Sequence, residues 1–320
     1  MEKTLYNFSE VKYNAAINKT RKEMITMKKI IALLLALTML AVFFAGCEAQ
    51  PSKDPVSDQA ATGNQTEGQT EGSEDAADAT EGDAKTVVVG YTIYEPMNYK
   101  DDSGKLVGFD TELAEAVFGN LGYEVIFQEI DWASKYTDLD SNTIDCVWNG
   151  FTCNTADDDG VLRSEKVDFS YNYMENRQVV VIKEGTSIAS AADMSGKMGA
   201  AEKGSAGETY GATFDGASVK GYTYQTDCLM EVKSGAADFA VLDAQLAKSY
   251  CGKGDYADLK VVEDLSSEVE YYAIGFKKGS ELTAQVNAQL EALAADGTIK
   301  TLAEKYGVAN TAITDFSDQK

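Results

Sequence analysis

The sequence predicts an α/β protein of two lobes, each built on a largely parallel sheet. Three observations carry that expectation. Short β-branched strands alternate with segments of helical period from Lys85 onward, which is the signature of βαβ units. The alternation comes as two successive sets, the second opening at Gln178. The chain has 320 residues, 44% hydrophobic and 10% aromatic, enough for more than one core.

Taken in order, Lys85 to Gly90 (KTVVVG) reads as a buried strand, and Tyr91 to Val107 as a loop with a DSGK turn. Phe109 to Leu121 has apolar residues at helical spacing, acids near its start and Gly122 just beyond its end. Glu124 to Glu129 alternates as a strand, and Ile144 to Trp148 is another. The second set begins with the strand Gln178 to Ile182, a short helix at Ala189 to Met194 and a strand at Lys197 to Ala201. A helix from Gly207, a helix at Thr226 to Lys233 and a strand at Asp238 to Leu242 follow. Tyr271 to Phe276 reads as a strand, with helices at Glu281 to Ala294 and Ile299 to Tyr306.

Ahead of this body, Met27, Lys28 and Lys29 form a basic n-region before an apolar run from Ile30 to Phe44 that ends in Ala45-Gly46-Cys47. The run is short for a membrane span, which needs roughly 20 residues, and small residues before a Cys suit cleavage and lipidation of the thiol. Residues 1–47 are therefore expected to be an upstream extension and a lipoprotein signal peptide, with Cys47 the lipidated mature N-terminus. Met24 or Met27 is the expected start. Two acyl chains hold a protein durably on a bilayer.

Residues 48–84 carry ten acids and one Lys, no aromatic residue and Val56 as the sole β-branched aliphatic. Such a stretch cannot offset its conformational entropy by burial and is expected to be a disordered acidic linker. Its average reach is roughly 30 to 36 Å. Removing the +4 of residues 1–47 and the −9 of the linker from the formal −24 leaves −19 for residues 85–320. An acidic body without a Lys/Arg stripe argues against nucleic acid as a partner.

The chain has no His, which excludes His-dependent triads and His-containing zinc sites. The Cys residues (Cys47, Cys146, Cys153, Cys228 and Cys251) show no CxxC spacing, so no metal and no cofactor are expected. Outside the cytoplasm, Cys228 with Cys251 and Cys146 with Cys153 are conceivable pairs, and free thiols are an equal alternative.

Six motifs in order carry a resemblance: NYKDDSGKLVGFDTELAEA from Asn98, NGFT from Asn149, RSEKVDFS from Arg163, EKGSAGE from Glu202, DFAVLD from Asp238 and DGTIKTLAEKYG from Asp296. Together they resemble the polar amino acid binding proteins of ABC importers, in lipoprotein form, over Lys85 to Gly307. The resemblance implies a type II periplasmic-binding-protein fold with two hinge crossovers. Lobe 1 would comprise about 85–172 and 273–320, and lobe 2 about 176–270. The hinges would be Tyr173 to Glu175 and Tyr271 to Tyr272. It also implies an amino acid ligand buried by hinge closure, an ABC permease as partner and a monomer at the outer face of the membrane.

A zwitterion taken out of water needs a cation for its carboxylate and an anion for its ammonium. By resemblance Arg163 forks onto the α-carboxylate, Thr152 assists, and the backbone N–H groups of Ser205 and Ala206 add to the same site. Asp243 takes the α-ammonium with the Gly150 carbonyl beside it. Without the resemblance, Arg163 reads as a surface ion pair and Asp243 as the cap of a helix from Ala244. Tyr94 and Trp132 match positions that place aromatic rings against the ligand side chain, although core positions are the plainer reading. Glu95, Asn98, Asn149 and Glu202 are candidate polar contacts. Acids with aromatic faces suit a cationic side chain, and a neutral polar one is equally compatible. Two departures stand out: Tyr91 replaces the acid of glutamine-binding relatives, and the acidic stretch Asn154 to Leu162 lengthens the approach to Arg163.

Two other classes compete. A dehydratase-like enzyme of the same fold would need an acid or base in the cleft, with Glu95 or Glu202 the first candidates. A ligand-sensing receptor domain would need a membrane helix and cytoplasmic module after the lobes.

Overall fold

The computed structural model describes residues 85–319. The expected signal peptide, the lipidation site at Cys47 and the linker lie outside the described residues. Strand β1 (Lys85–Tyr91) buries Val87 and Val89, and the hairpin β2 (Tyr99–Lys100) and β3 (Leu106–Val107) follows it. Helix α1 (Phe109–Asn120) places Phe109, Leu113, Val117 and Phe118 on one buried stripe. It starts after Gly108 at φ 134°, where a Cβ would lie 2.0 Å from the Met97 carbonyl oxygen, so only glycine fits.

Strand β4 (Tyr123–Glu129), helix α2 (Lys135–Asp140), strand β5 (Cys146–Val147), helix α3 (Arg163–Lys166) and strand β6 (Asp168–Phe169) complete this stretch. The chain leaves through β7 (Met174–Asn176) into β8 (Gln178–Lys183), β9 (Met198–Glu202), helix α4 (Ala206–Gly211) and β10 (Ser218–Tyr222). Helix α5 (Gln225–Ser234), β11 (Phe239–Asp243), helix α6 (Ala244–Tyr250) and β12 (Leu259–Ser266) follow. It returns through β13 (Glu270–Tyr272) to β14 (Gly275–Phe276) and ends in helices α7 (Leu282–Ala295) and α8 (Thr298–Lys305).

The first sheet has the order β4-β1-β5-β14-β6, with β1 parallel to β4 and β5 and β14 antiparallel to its neighbours. The second has the order β10-β9-β11-β8-β12, with β9 parallel to β10 and β11, and β8 antiparallel to β11 and β12. In each sheet three parallel strands are followed by one antiparallel strand, β14 in the first and β8 in the second, with β6 and β12 at the edges. β7 and β13 pair antiparallel as the two crossovers, Glu270 opposite Asn176 and Tyr272 opposite Met174. A C-terminal segment reinforces them: the Glu175 N–H donates to the Thr311 carbonyl and the Ile313 N–H to that of Tyr173.

One apolar cluster runs from Phe109, Val117 and Trp148 through Tyr173, Met174 and Tyr272 into Val179, Val181 and Leu242. The two lobes therefore share core at the crossovers. The second strand set differs from the sequence expectation at its edges. β10 and β12 carry alternating or half-polar burial because only one face is covered, which hides them from a search for apolar runs. The short helix expected at Ala189 to Met194 is a 3₁₀ turn, Ala191–Met194, held by a reciprocal Ser190–Asp193 capping box. Cys146, Cys153, Cys228 and Cys251 are free thiols.

Candidate functional site

A narrow cleft lies between the lobes. Trp132, Asn149, Gly150, Thr152 and Arg163 line it from the first lobe, and Gln178, Glu202, Ser205, Ala206, Gln225 and Asp243 from the second. Its walls are largely the carboxyl ends of parallel strands. Glu202 ends β9, Asp243 ends β11, and residues 149–152 follow β5. Ligand crevices in open α/β sheets form at such ends.

Arg163 is 1% exposed, which rules out a surface ion pair. Its Nε donates to Asp157 at 2.8 Å, Nη1 to the Thr152 carbonyl at 3.2 Å and Nη2 to the Gly204 carbonyl of the other lobe at 3.3 Å. A guanidinium has five N–H donors. One on each terminal nitrogen is left without a partner among the described residues, the pair a carboxylate can bridge. The acidic stretch before Arg163 does not displace it. That stretch supplies Asp157, which also accepts from Tyr136 and Lys166, both at 2.7 Å. Burial acts to raise the Asp157 pKa, but the Arg163 charge and these donors hold it down to about 2.

Asp243 does not cap α6 with its side chain. Its Oδ1 accepts from Asn176 and Gln178, each at 2.6 Å, and its Oδ2 from Gln225 at 2.5 Å, while its own N–H donates to Gln225 Oε1. Burial raises its pKa and the amide donors oppose the rise. Beside it stands Glu270 of the crossover, 4% exposed, whose Oε2 accepts from Thr152, Gln178 and Asn176. Burial, reinforced by Asp243, raises Glu270 to about 7. Glu270, Gln178 and Gln225 escaped the sequence reading. A polar residue opening the apolar strand QVVVI was the one visible signal, since nothing local marks Glu270 or Gln225.

Trp132 packs edge-on against Phe151, and the Lys135 ammonium sits 4.9 Å from its ring centroid. Lys135 is 2% exposed and donates to the carbonyls of Trp132 and, across the lobes, Gly204 at 3.0 Å. Burial, then the charge of Arg163, lowers its pKa to about 7. The Trp132 indole N–H is buried without a partner among the described residues. Glu202 is 4% exposed, and burial followed by the Asp243 charge raises its pKa well above the ordinary range.

Other expected contacts do different work. Glu95 does not reach the cleft. It borders a separate groove with Tyr99, Lys248 and Lys305, because it lies in the turn before Pro96 that leads away from the strand end. The Tyr94 ring underlies Gly150, and its hydroxyl hydrogen-bonds Tyr272 at 2.8 Å. Tyr94 is therefore a support beneath the cleft floor rather than part of its lining. Asn149 faces the cavity, but its amide bonds Thr92 and donates to Asn98 Oδ1, and the Asn98 Nδ2 donates to Thr111. These two asparagines shape the loop.

Gly150 adopts φ +59°, and its N–H donates to the buried Asp110 carboxylate at 2.9 Å. The Ser205 N–H is already taken by the Glu202 carbonyl, and its hydroxyl accepts from Glu208. Of the two expected N–H donors there, only that of Ala206 is left without a partner among the described residues. Tyr91 packs against Phe127 and does not line the cleft.

Residues 87–309 match the profile of the bacterial extracellular solute-binding proteins, family 3. The chain belongs to that family. This family 3 protein is 31% identical over 231 residues to the arginine-binding extracellular protein ArtP of Bacillus subtilis, covering 71% of this chain and 88% of ArtP. It is 32% identical over 216 residues to the L-cystine-binding protein TcyA of the same organism, covering 67% and 77%. Among solved structures, an ancestral arginine-binding protein bound to arginine superposes with a TM-score of 0.63 at 34% identity, over 69% of this chain and 97% of that one. The two-lobed body is the type II receptor fold. All three relatives are binding proteins by name, and an enzymatic role finds no support in them. Family membership places the protein outside the cytoplasm, and no helix among the described residues is long and apolar enough to cross a membrane.

Proposed function

We propose that Arg163 takes the α-carboxylate and Asp243 the α-ammonium of an amino acid, and that a lipid on Cys47 keeps the receptor near its permease. The protein is an extracytoplasmic receptor that binds an amino acid between two lobes and delivers it to an ABC importer. The observation that carries the site assignment is the state of Arg163. It is buried, pinned through Nε by Asp157, and retains one N–H on each terminal nitrogen in the cavity that Asp243 also lines. A carboxylate bridging those two donors and an ammonium at Asp243 satisfy both buried charges, which desolvation otherwise penalises.

Closure follows from the same groups. Arg163 and Lys135 of the first lobe both donate to the Gly204 carbonyl of the second, so a ligand that orders Arg163 also favours the closed arrangement. The receptor acts as a monomer, since each cleft is complete within one chain. The linker of residues 48–84 lets it range over roughly 30 to 36 Å from its anchor, which raises its effective concentration at a membrane-embedded partner.

A thermal-shift screen against the common amino acids tests the site. At a hundred times its dissociation constant, the true ligand adds about 2.7 kcal/mol of stability. The matching amine without carboxylate, and the matching hydroxy acid without ammonium, are expected to give no shift. A full shift from either analogue refutes the corresponding assignment. For the anchor, Cys47→Ala is expected to move the protein from the membrane fraction to the soluble one.

A further inference from the structure

We propose that the bound amino acid carries a positive charge on its side chain and that Glu202 is the carboxylate that selects it. This rests on the reading above, in which Arg163 and Asp243 hold the two α-groups.

Five carboxylates are buried among the described residues: Asp110, Asp157, Glu202, Asp243 and Glu270. Four accept hydrogen bonds. Asp110 has Tyr173 and the Gly150 N–H, Asp157 has Arg163, Lys166 and Tyr136, Asp243 has three amides, and Glu270 has Thr152, Asn176 and Gln178. Among the described residues Glu202 has no side-chain hydrogen-bond partner, yet it is 4% exposed and lines the cleft. Its position is not accidental slack in a loop. β9 is paired in parallel with β10, with Tyr222 opposite Glu202, so the strand end is fixed. A buried carboxylate without donors is costly unless something that enters the site satisfies it.

The nearby cations are already engaged. Arg163 is matched by Asp157, and Lys166 by Asp157 and Asp159. Lys135 donates to two carbonyls, and burial weakens its hold on a proton at neutral pH. The ionisable groups that line the cavity are the Arg163 guanidinium, whose Nε is held by Asp157, and the Asp243 and Glu202 carboxyls. An α-amino and an α-carboxyl group contribute no net charge and are consumed at Asp243 and Arg163. What remains is Glu202, which burial favours in its neutral form; a guanidinium or ammonium on the ligand side chain opposes that rise and supplies the donors the carboxylate lacks. The Trp132 ring is not the selecting element, because Lys135 already sits against it. Trp132 gives the same cavity an apolar wall, and a low local dielectric strengthens a charge pair formed in it.

The test is calorimetric titration of the whole secreted chain with arginine and lysine against their neutral counterparts citrulline and glutamine, and with cystine. Citrulline keeps the shape of arginine and replaces the guanidinium by a neutral urea. A hydrogen bond between charged groups predicts that arginine or lysine binds about ten- to a hundredfold tighter than any of the neutral ligands. Glu202→Gln is expected to remove that preference while changing affinity for citrulline by no more than about threefold. Equal affinity for arginine and citrulline, tightest binding of cystine, or a preference that survives Glu202→Gln overturns the proposal. The comparison of ligands on the unaltered protein needs no variant to fold. If neutral amino acids bind tightly and Arg163→Ala abolishes that binding, the α-group assignment stands and the charge class falls. If no amino acid binds, both fall.

Discussion

Asp157→Asn changes one oxygen to nitrogen at the point where Arg163, Lys166 and Tyr136 converge, and removes the charge that all three meet. In the native protein the Asp157 carboxyl is held from its usual 3.8 down to about 2. At 1.36 kcal/mol per pKa unit that depression corresponds to roughly 2 kcal/mol, and solvent screening near Lys166 reduces it to about 1 to 2. For a body of this size each kcal/mol moves the melting temperature by about 2 to 4 °C, so the variant should melt about 2 to 8 °C lower at pH 7.

Because the folded pKa is depressed, the stabilisation is full above the unfolded value near 4 and disappears as pH falls through about 2. The gap between wild type and variant should be roughly half as large at pH 3 as at pH 7. Arg163 also loses the carboxylate that fixes Nε, and affinity for the amino acid should drop about tenfold, or 1.4 kcal/mol. Differential scanning calorimetry across that pH range and titration calorimetry at pH 7 read both effects. A melting temperature unchanged within 1 °C at pH 7, or a gap that does not shrink by pH 3, refutes the view that Asp157 anchors Arg163 through its charge.

Arg163→Ala should weaken amino acid binding by at least about a hundredfold, because it removes one member of a buried charge pair and the carboxylate fork together; titration calorimetry measures it. Gly150→Ala forces a side chain into φ +59° and within 2.7 Å of Tyr94 and 3.0 Å of Tyr272, so denaturant melts should show a loss of about 1 to 3 kcal/mol. Glu270→Gln should raise the melting temperature more at pH 8 than at pH 5. Burial raises the Glu270 pKa to about 7, the folded protein holds that proton better than the unfolded chain, and stability falls as pH rises from about 4.5 to 7. A difference independent of pH would contradict that assignment.

The strands and helices near the core were legible because burial on both faces writes an unbroken apolar run, as in QVVVI and DFAVL, and burial on one helical face writes a period, as in α1. The edge strands β10 and β12 were not, since half-covered strands mix polar and apolar residues without a clean repeat. Trp132, Asn149, Gly150, Thr152, Arg163, Glu202, Ser205, Ala206 and Asp243 line one cleft, whereas Glu95 and Tyr94 do not. A polar or aromatic residue near a strand end can line the cleft, lie beneath its floor or border another groove, and the turn geometry chooses.

Composition alone already excluded His chemistry and weighed against nucleic acid, and strand-helix alternation alone implied two α/β lobes. What only the tertiary structure decided is who faces whom. Asp157 hid among three consecutive acids until the fold turned it onto the Arg163 guanidinium, and Glu270 meets Asp243 and Thr152 across 27 and 118 positions of chain. Local sequence sets dihedral preference and burial pattern within a few residues. Charge pairing acts through space, and the crossovers β7 and β13 bring those groups within reach.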